Sequence, residues 1–323
     1  MNRKEFLTKT GLAGGTFLLA RYPELQPAEK RVRFGVIADL HHDIMHDGIE
    51  RLSAFVDDMN KKKPDFIIQM GDFCMPKKTN TPLMEVWNQF KGPKYHVIGN
   101  HDTDGGFKSD EVVDFWKAEG KYYSFDHNGF HFVVLNGNEH NESKSRPVGY
   151  ARFISTTQLD WLKKDLEATL LPVIICCHQG LDNDSGGLEN GTLLRYTLEQ
   201  ANQKAGWKKV ILVLSGHHHQ DYYNRINDIH YVQINSASYQ WLGDDFKEIR
   251  YSEAIDKGHP NIKYTVPYQD PLWAMIEIDH KGRITIQGKK TVFVGSSPEK
   301  LGVNMEDYIY PIVPYISSRN LIK

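Results

Sequence analysis

From Val32 onward the chain alternates short apolar runs with longer amphipathic stretches. Residues 32–38, 66–70, 95–98, 130–135, 173–177 and 210–214 are apolar over the length of a strand, and they predict a series of β-strands. Between the first two runs, Ile49, Leu52, Phe55 and Met59 recur at helical spacing, so residues 48–60 are expected to form a helix with one face on a sheet. Leu159, Leu162 and Leu166 mark another helix. After Asn227 the pattern changes: residues 229–234 and 273–286 read as strands, the latter folded at Asp279-His280-Lys281-Gly282 as a hairpin. A second sheet is therefore expected in the second half, while residues 247–271 read as irregular. Strands alternating with helices define an α/β domain, here spanning residues 31–323.

Composition narrows the class. With 40% hydrophobic and 25% charged residues among 323, the chain is neither disordered nor fibrous. Its formal charge of -2, from 39 basic and 41 acidic residues mixed along the sequence, provides no field to gather a nucleic-acid polymer. Three cysteines, Cys74, Cys176 and Cys177, make no disulfide framework and read as small buried apolar groups. Residues 1–30 differ from the rest. Arg3 and Lys4 precede Phe6-Leu7 and a short glycine-containing apolar run over 11–20, too short to span a bilayer, and residues 23–30 read as a linker. The layout resembles a twin-arginine export signal with Lys4 replacing one arginine, which implies an exported, periplasmic or extracytoplasmic protein without a transmembrane segment. A frayed amphipathic helix on a cytoplasmic protein is the alternative reading.

The candidate chemistry lies where apolar runs stop. Asp39-Leu40-His41, Gly71-Asp72, Gly99-Asn100-His101-Asp102, His178 and Gly216-His217-His218-His219 each follow one. In open α/β sheets such positions gather at the carboxyl edge of the strands. Residues two apart in an extended segment point the same way, so Asp39 pairs with His41 and His217 with His219, leaving Leu40 and His218 to face elsewhere. Gly71, Gly99 and Gly216 directly precede candidate ligands and allow the backbone a close approach. Imidazole, carboxylate and amide donors together suit divalent ions of the Mn, Fe, Zn or Co type better than Ca or Mg. A thiol-free mixture is also unlike a closed structural zinc site.

In this order, D-x-H, G-D, G-N-H-D, a single His and G-H-x-H resemble the calcineurin-like metallophosphoesterases over about residues 33–238. The resemblance implies a four-layer α-β-β-α sandwich, two mixed β-sheets flanked by helices, holding two divalent metal ions. It implies that Asp39, His41 and His219 bind one ion, that Asn100, His178 and His217 bind the other, and that Asp72 bridges them. His101 would stabilise the transition state or protonate the leaving oxygen, with Asp102 orienting its imidazole; a turn carboxylate is the alternative role for Asp102. The activity implied is hydrolysis of a phosphate ester by a hydroxide bridging the two metals.

Three stretches are candidate walls around the metals: residues 136–150, residues 183–187, and the aromatics Tyr222, Tyr223, Tyr239 and Trp241. His42 and Asp43 read as solvated loop residues. An aromatic rim suits a small nucleotide-like phosphodiester as substrate. A phosphomonoesterase is the alternative, and a docking module without turnover on the same fold is a more distant one.

Overall fold

A computed structural model describes residues 31–322, so the export-signal reading of residues 1–30 lies outside the described residues. The chain runs β1 (Arg31–Ile37), α1 (Gly48–Lys62), β2 (Phe66–Gln69), α2 (Thr81–Trp87), β3 (Lys94–His96), α3 (Ser109–Trp116), β4 (Tyr123–His127) and β5 (Phe130–Leu135). It continues through α4 (Thr156–Ala168), β6 (Val173–Cys177), α5 (Gly191–Ala205), β7 (Val210–Ser215), β8 (Tyr222–Ile226), β9 (Ile229–Gln233) and β10 (Tyr239–Trp241). The C-terminal elements are α6 (Glu253–Gly258), β11 (Thr265–Pro267), β12 (Ala274–Asp279), β13 (Ile284–Gln287) and β14 (Arg319–Leu321).

Two six-stranded mixed sheets result, ordered β14-β13-β12-β1-β2-β3 and β4-β5-β6-β7-β9-β8, with β10-β11 as a separate ribbon. Strand alternation divides the apolar side chains between two faces. Val32, Phe34 and Val36 of β1 meet Phe132, Ile174 and Leu212 of the opposite sheet in one core between the sheets. Phe66 is central there, its ring 4.9 Å from Phe34 and 5.1 Å from Phe132. The outer faces are buried too. Phe55, Trp87 and Trp116 from α1, α2 and α3 cover Ile67 and Met275, while Leu162 and Leu198 from α4 and α5 cover Ile175 and Val213. Burial on both faces explains why the strands read as continuous apolar runs.

The four-layer sandwich matches the expectation, but its partition does not follow the change of pattern at Asn227. The second sheet already begins at β4, and the hairpin β12–β13 returns to the first, where β12 pairs antiparallel with β1. Pairing partners are set by long-range packing that a local pattern does not contain. Nor is 247–271 wholly irregular, since α6 and β11 lie within it. Helix α1 ends because Lys63, at φ 52°, precedes Pro64, which disfavours a continuing helix. All three cysteines are buried thiols without disulfides. Among the described residues no helix is long and apolar enough to cross a membrane.

Candidate metal centre

The carboxyl ends of β1, β2, β6 and β7 and the turn beyond β3 converge on one edge of the sandwich. Backbone bonds between segments set the convergence: the amide of Asp39 donates to Gly71 O at 3.0 Å and that of His41 to Asp72 O at 2.8 Å. From the loop after β9, Ser236 and Ser238 donate their hydroxyls to the carbonyls of Asp39 and Leu40 at 2.8 and 2.7 Å.

Two clusters of ligand atoms share Asp72. Asp39, His41, Asp72 and His219 form one, and Asp72, His178 and His217 the other, with the donor atoms of each within 4.8 Å of one another. In the first, His41 Nε2 lies 3.0 Å from His219 Nε2, which is 3.3 Å from Asp39 Oδ1. Asp72 Oδ2 is 3.6 Å from His41 Nε2 and 3.1 Å from His178 Nε2, so one carboxylate faces both clusters. Asn100 is in the adjoining turn, where the next amide, that of His101, donates to Asp72 Oδ1 at 2.8 Å.

The donors fit divalent cations. Asn100 is buried, yet both polar atoms of its side chain lack a hydrogen-bond partner, as does His178 Nε2. A buried unsatisfied polar group costs about 1–3 kcal/mol, and a cation taking Asn100 Oδ1 and His178 Nε2 as ligands removes that cost for those two atoms. Burial holds the His41 and His217 imidazoles well below their ordinary range, hence neutral, as ligation requires. Burial also opposes charge on His178, but Asp72 and Asp39 outweigh it and draw the ring up to about 9. A proton there sits where a cation would.

The paired aim of Asp39 with His41, and of His217 with His219, does not come from extended backbone. These four residues and Asp72 have φ of 51°, 47°, 79°, 53° and 51°, five of the ten positive-φ non-glycine residues among those described. Such conformations cost on the order of 1–3 kcal/mol each and persist only where the surroundings enforce them. Gly216 shows the crowding: a Cβ there would lie 2.7 Å from Asp39 Oδ2. Leu40 turns into the apolar core, and His218 stays outside both clusters.

The expected pairing of Asp102 with His101 is not what the structure contains. Buried Asp102 accepts the backbone amides of Asp72, Phe73 and Gly99 at 2.9, 2.7 and 2.7 Å, close to its alternative role as a turn carboxylate. His101 Nδ1 instead meets Asp104 Oδ2 at 2.7 Å. Burial alone would depress this imidazole, but Asp72 and then Asp104 outweigh it and hold it at about 9. The only signal for Asp104 in the sequence was a second carboxylate two positions on.

The clusters open into a cleft of about 580 Å³. Tyr150, Tyr239 and Trp241 line it, whereas residues 183–187 do not. Tyr222 stacks on Tyr310 with centroids 3.8 Å apart, and Tyr223 packs on His230. Asp43 is no solvated loop residue: it accepts the Met75 amide at 2.8 Å, binds Asn80 Nδ2 and pairs with Lys77, fixing one wall.

The family profile described as calcineurin-like phosphoesterase matches residues 32–221. The chain is 26% identical over 218 residues to a 3',5'-cyclic-nucleotide phosphodiesterase of Nostoc sp., covering 65% of this chain and 74% of the relative. It is 26% identical over 270 residues to the manganese-dependent ADP-ribose/CDP-alcohol diphosphatase of Arabidopsis thaliana, covering 63% and 85%. A dimetal phosphatase from Danio rerio has the same fold, with TM-score 0.60, 15% identity and coverage of 82% and 99%. GAP50 of Plasmodium superposes with TM-score 0.52 at 16% identity, over 83% and 90%. With this profile match over most of its folded part and Asp/His clusters fitted to two divalent metals, the chain belongs to the calcineurin-like phosphoesterase family and is a metal-dependent hydrolase of phosphate esters.

Proposed function

We propose that this hydrolase is a phosphodiesterase acting on a small, nucleotide-like phosphodiester. The observation that carries the reading is the charge of the cleft. Among the described residues no lysine or arginine lines it, while Asp43 and Asp104 do. Negative charge beyond the one phosphoryl group at the metals would meet His101 as the single cationic group of the lining, and a rim whose two carboxylates, Asp43 and Asp104, are paired with Lys77 and His101. A phosphodiester brings a single charge; a monoester or a diphosphate brings more.

The rim supplies the second support. Tyr239 and Trp241 are two apart on β10 and so share a face. Tyr239 is buried beneath His41 and His219, ring centroids 4.9 and 5.1 Å away, and Trp241 continues that face outward, 44% exposed. A rigid exposed indole beside the metals suits a base or another planar group. A 3',5'-cyclic nucleotide, the class named for the Nostoc relative, has both the single charge and the base.

In this reading Asp39, His41 and His219 hold one cation, Asn100, His178 and His217 the other, and Asp72 both. Bound there, two divalent ions would supply an activated water and neutralise the phosphoryl oxygens. His101, protonated and at the cleft, stabilises charge on the phosphoryl group or delivers a proton to the leaving oxygen. The test is hydrolysis by metal-stripped protein resupplied in turn with Mn, Fe, Zn and Co, on bis-p-nitrophenyl phosphate, p-nitrophenyl phosphate and a cyclic nucleotide. Higher kcat/KM on the diesters is expected; a preference for the monoester would overturn the proposal.

A further inference from the structure

We propose that Asp104 and Tyr150 are the positioning residues of His101, so that a loop distant in sequence from the metal ligands sets the aim of the imidazole. The inference rests on the reading of His101 as the group that assists the leaving oxygen.

Three contacts close a triangle. His101 Nδ1 lies 2.7 Å from Asp104 Oδ2, the Tyr150 hydroxyl donates to Asp104 Oδ1 at 2.9 Å, and the same hydroxyl is 3.2 Å from His101 Nδ1. The Tyr150 ring also packs edge-on against the imidazole, centroids 4.8 Å apart. With Nδ1–H donated to Asp104, the other ring nitrogen is the one left for chemistry. Asp102 cannot substitute, since three backbone amides already occupy its carboxylate.

Local backbone puts Asp104 in place. It leaves the helical region at φ −59°, ψ 154°, and Gly105 follows at φ 77°, a conformation open to glycine, so the chain reverses and returns the carboxylate to His101. Tyr150 arrives on a loop with a fixed neck: Phe153 N–H donates to Gly137 O at 2.8 Å, Glu139 N–H to Phe153 O at 3.1 Å, and Asn138 Nδ2 to Ile98 O at 2.8 Å. That last bond ties the neck to the segment leading into the Gly99-Asn100-His101 turn. Beyond the neck the loop is exposed, with Val148 fully so, and the Tyr150 hydroxyl attaches its tip to the site.

The test uses the full chain reconstituted with Mn, carrying Asp104→Asn, Tyr150→Phe, both together, or His101→Ala. Each is assayed on bis-p-nitrophenyl phosphate, whose leaving group needs little protonation, and on a cyclic nucleotide, whose sugar alkoxide needs it. Metal content is measured alongside. Asp104→Asn is expected to lower kcat on the cyclic nucleotide by about 10²-fold, the ordinary size of a general-acid contribution. The loss on the p-nitrophenyl ester should be much smaller, with KM and bound metal unchanged. Tyr150→Phe should give a smaller loss of the same selectivity, and the double variant should fall no further than Asp104→Asn, because both act through one imidazole. Equal losses on both substrates, or loss of metal, would indicate a structural role and overturn the proposal. So would full turnover by Asp104→Asn beside an inactive His101→Ala, which leaves the role of His101 standing. Full turnover by His101→Ala would overturn that role as well.

Discussion

His178 donates its Nδ1–H to the carbonyl of Met70 at 2.7 Å, and this one bond fixes which nitrogen the imidazole presents to the site. Nε2 is thereby aimed at Asp72 Oδ2, 3.1 Å away, with Asp39 Oδ1 at 3.9 Å. Metal-ligating histidines are commonly held in this way by a backbone oxygen on the far nitrogen, which keeps both tautomer and ring orientation ready for the cation.

Asp72 faces both clusters, so its removal should act on both. Asp72→Ala is expected to release metal and activity together, whereas His101→Ala should keep the metals and lose most turnover. Elemental analysis of the purified variants beside a diesterase assay checks this. Retention of both metals by Asp72→Ala would show that its carboxylate is not the shared ligand.

Trp241 tests the planar-group subsite. Stacking of a base on an aromatic side chain is worth roughly 1–3 kcal/mol, so Trp241→Ala should lower kcat/KM on a nucleotide diester by about tenfold or more. A diester with alkyl groups alone should be hydrolysed as before. Equal effects on the two substrates would mean that the indole packs against the protein and not against substrate.

Far from the metals, His131 sits between Asp126 Oδ1 at 2.6 Å and Asp165 Oδ2 at 2.8 Å, tying β4 and β5 to α4. Burial lowers its pKa, but the two carboxylates outweigh burial and raise it above the ordinary value. A folded pKa above the unfolded value of about 6.5 makes this contribution complete below that pH. It is lost as pH rises through the folded pKa. Denaturation of the metal-free protein at pH 6 and pH 9 should therefore show a larger stability gap between wild type and His131→Gln at pH 6. The same gap at both would rule out a charged pairing.

Phe66 contacts rings from both sheets, Phe34 on its own and Phe125 and Phe132 on the other. Phe66→Ala should cost about 3–5 kcal/mol, the usual range for emptying a buried aromatic site. Chemical denaturation measures it. A loss under 1 kcal/mol would mean that the core between the sheets closes over the vacancy.

Much of this protein is written locally. Apolar runs at 66–70 and 173–177 are strands because their residues alternate between two buried faces, and Asp, Asn and His directly after such runs fall on one edge of a rigid sheet. The order of D-x-H, G-D, G-N-H-D and G-H-x-H is likewise a property of the sequence alone. Tertiary structure decided the rest. The hairpin at 279–282 is legible from its turn, but its return to β1 is a long-range pairing. Asp102 and Asp104 are both carboxylates near His101; only the reversal at Gly105 and the amides around Asp102 determine which one the imidazole meets. Trp241 and the loop ending at Tyr150 are legible as candidate walls, but nothing in their neighbourhood along the chain records that a loop neck at Gly137 and a strand under His41 deliver them to the same cleft. Identity and order of donor atoms are local chemistry, whereas their aim depends on backbone conformations that only the packed fold enforces.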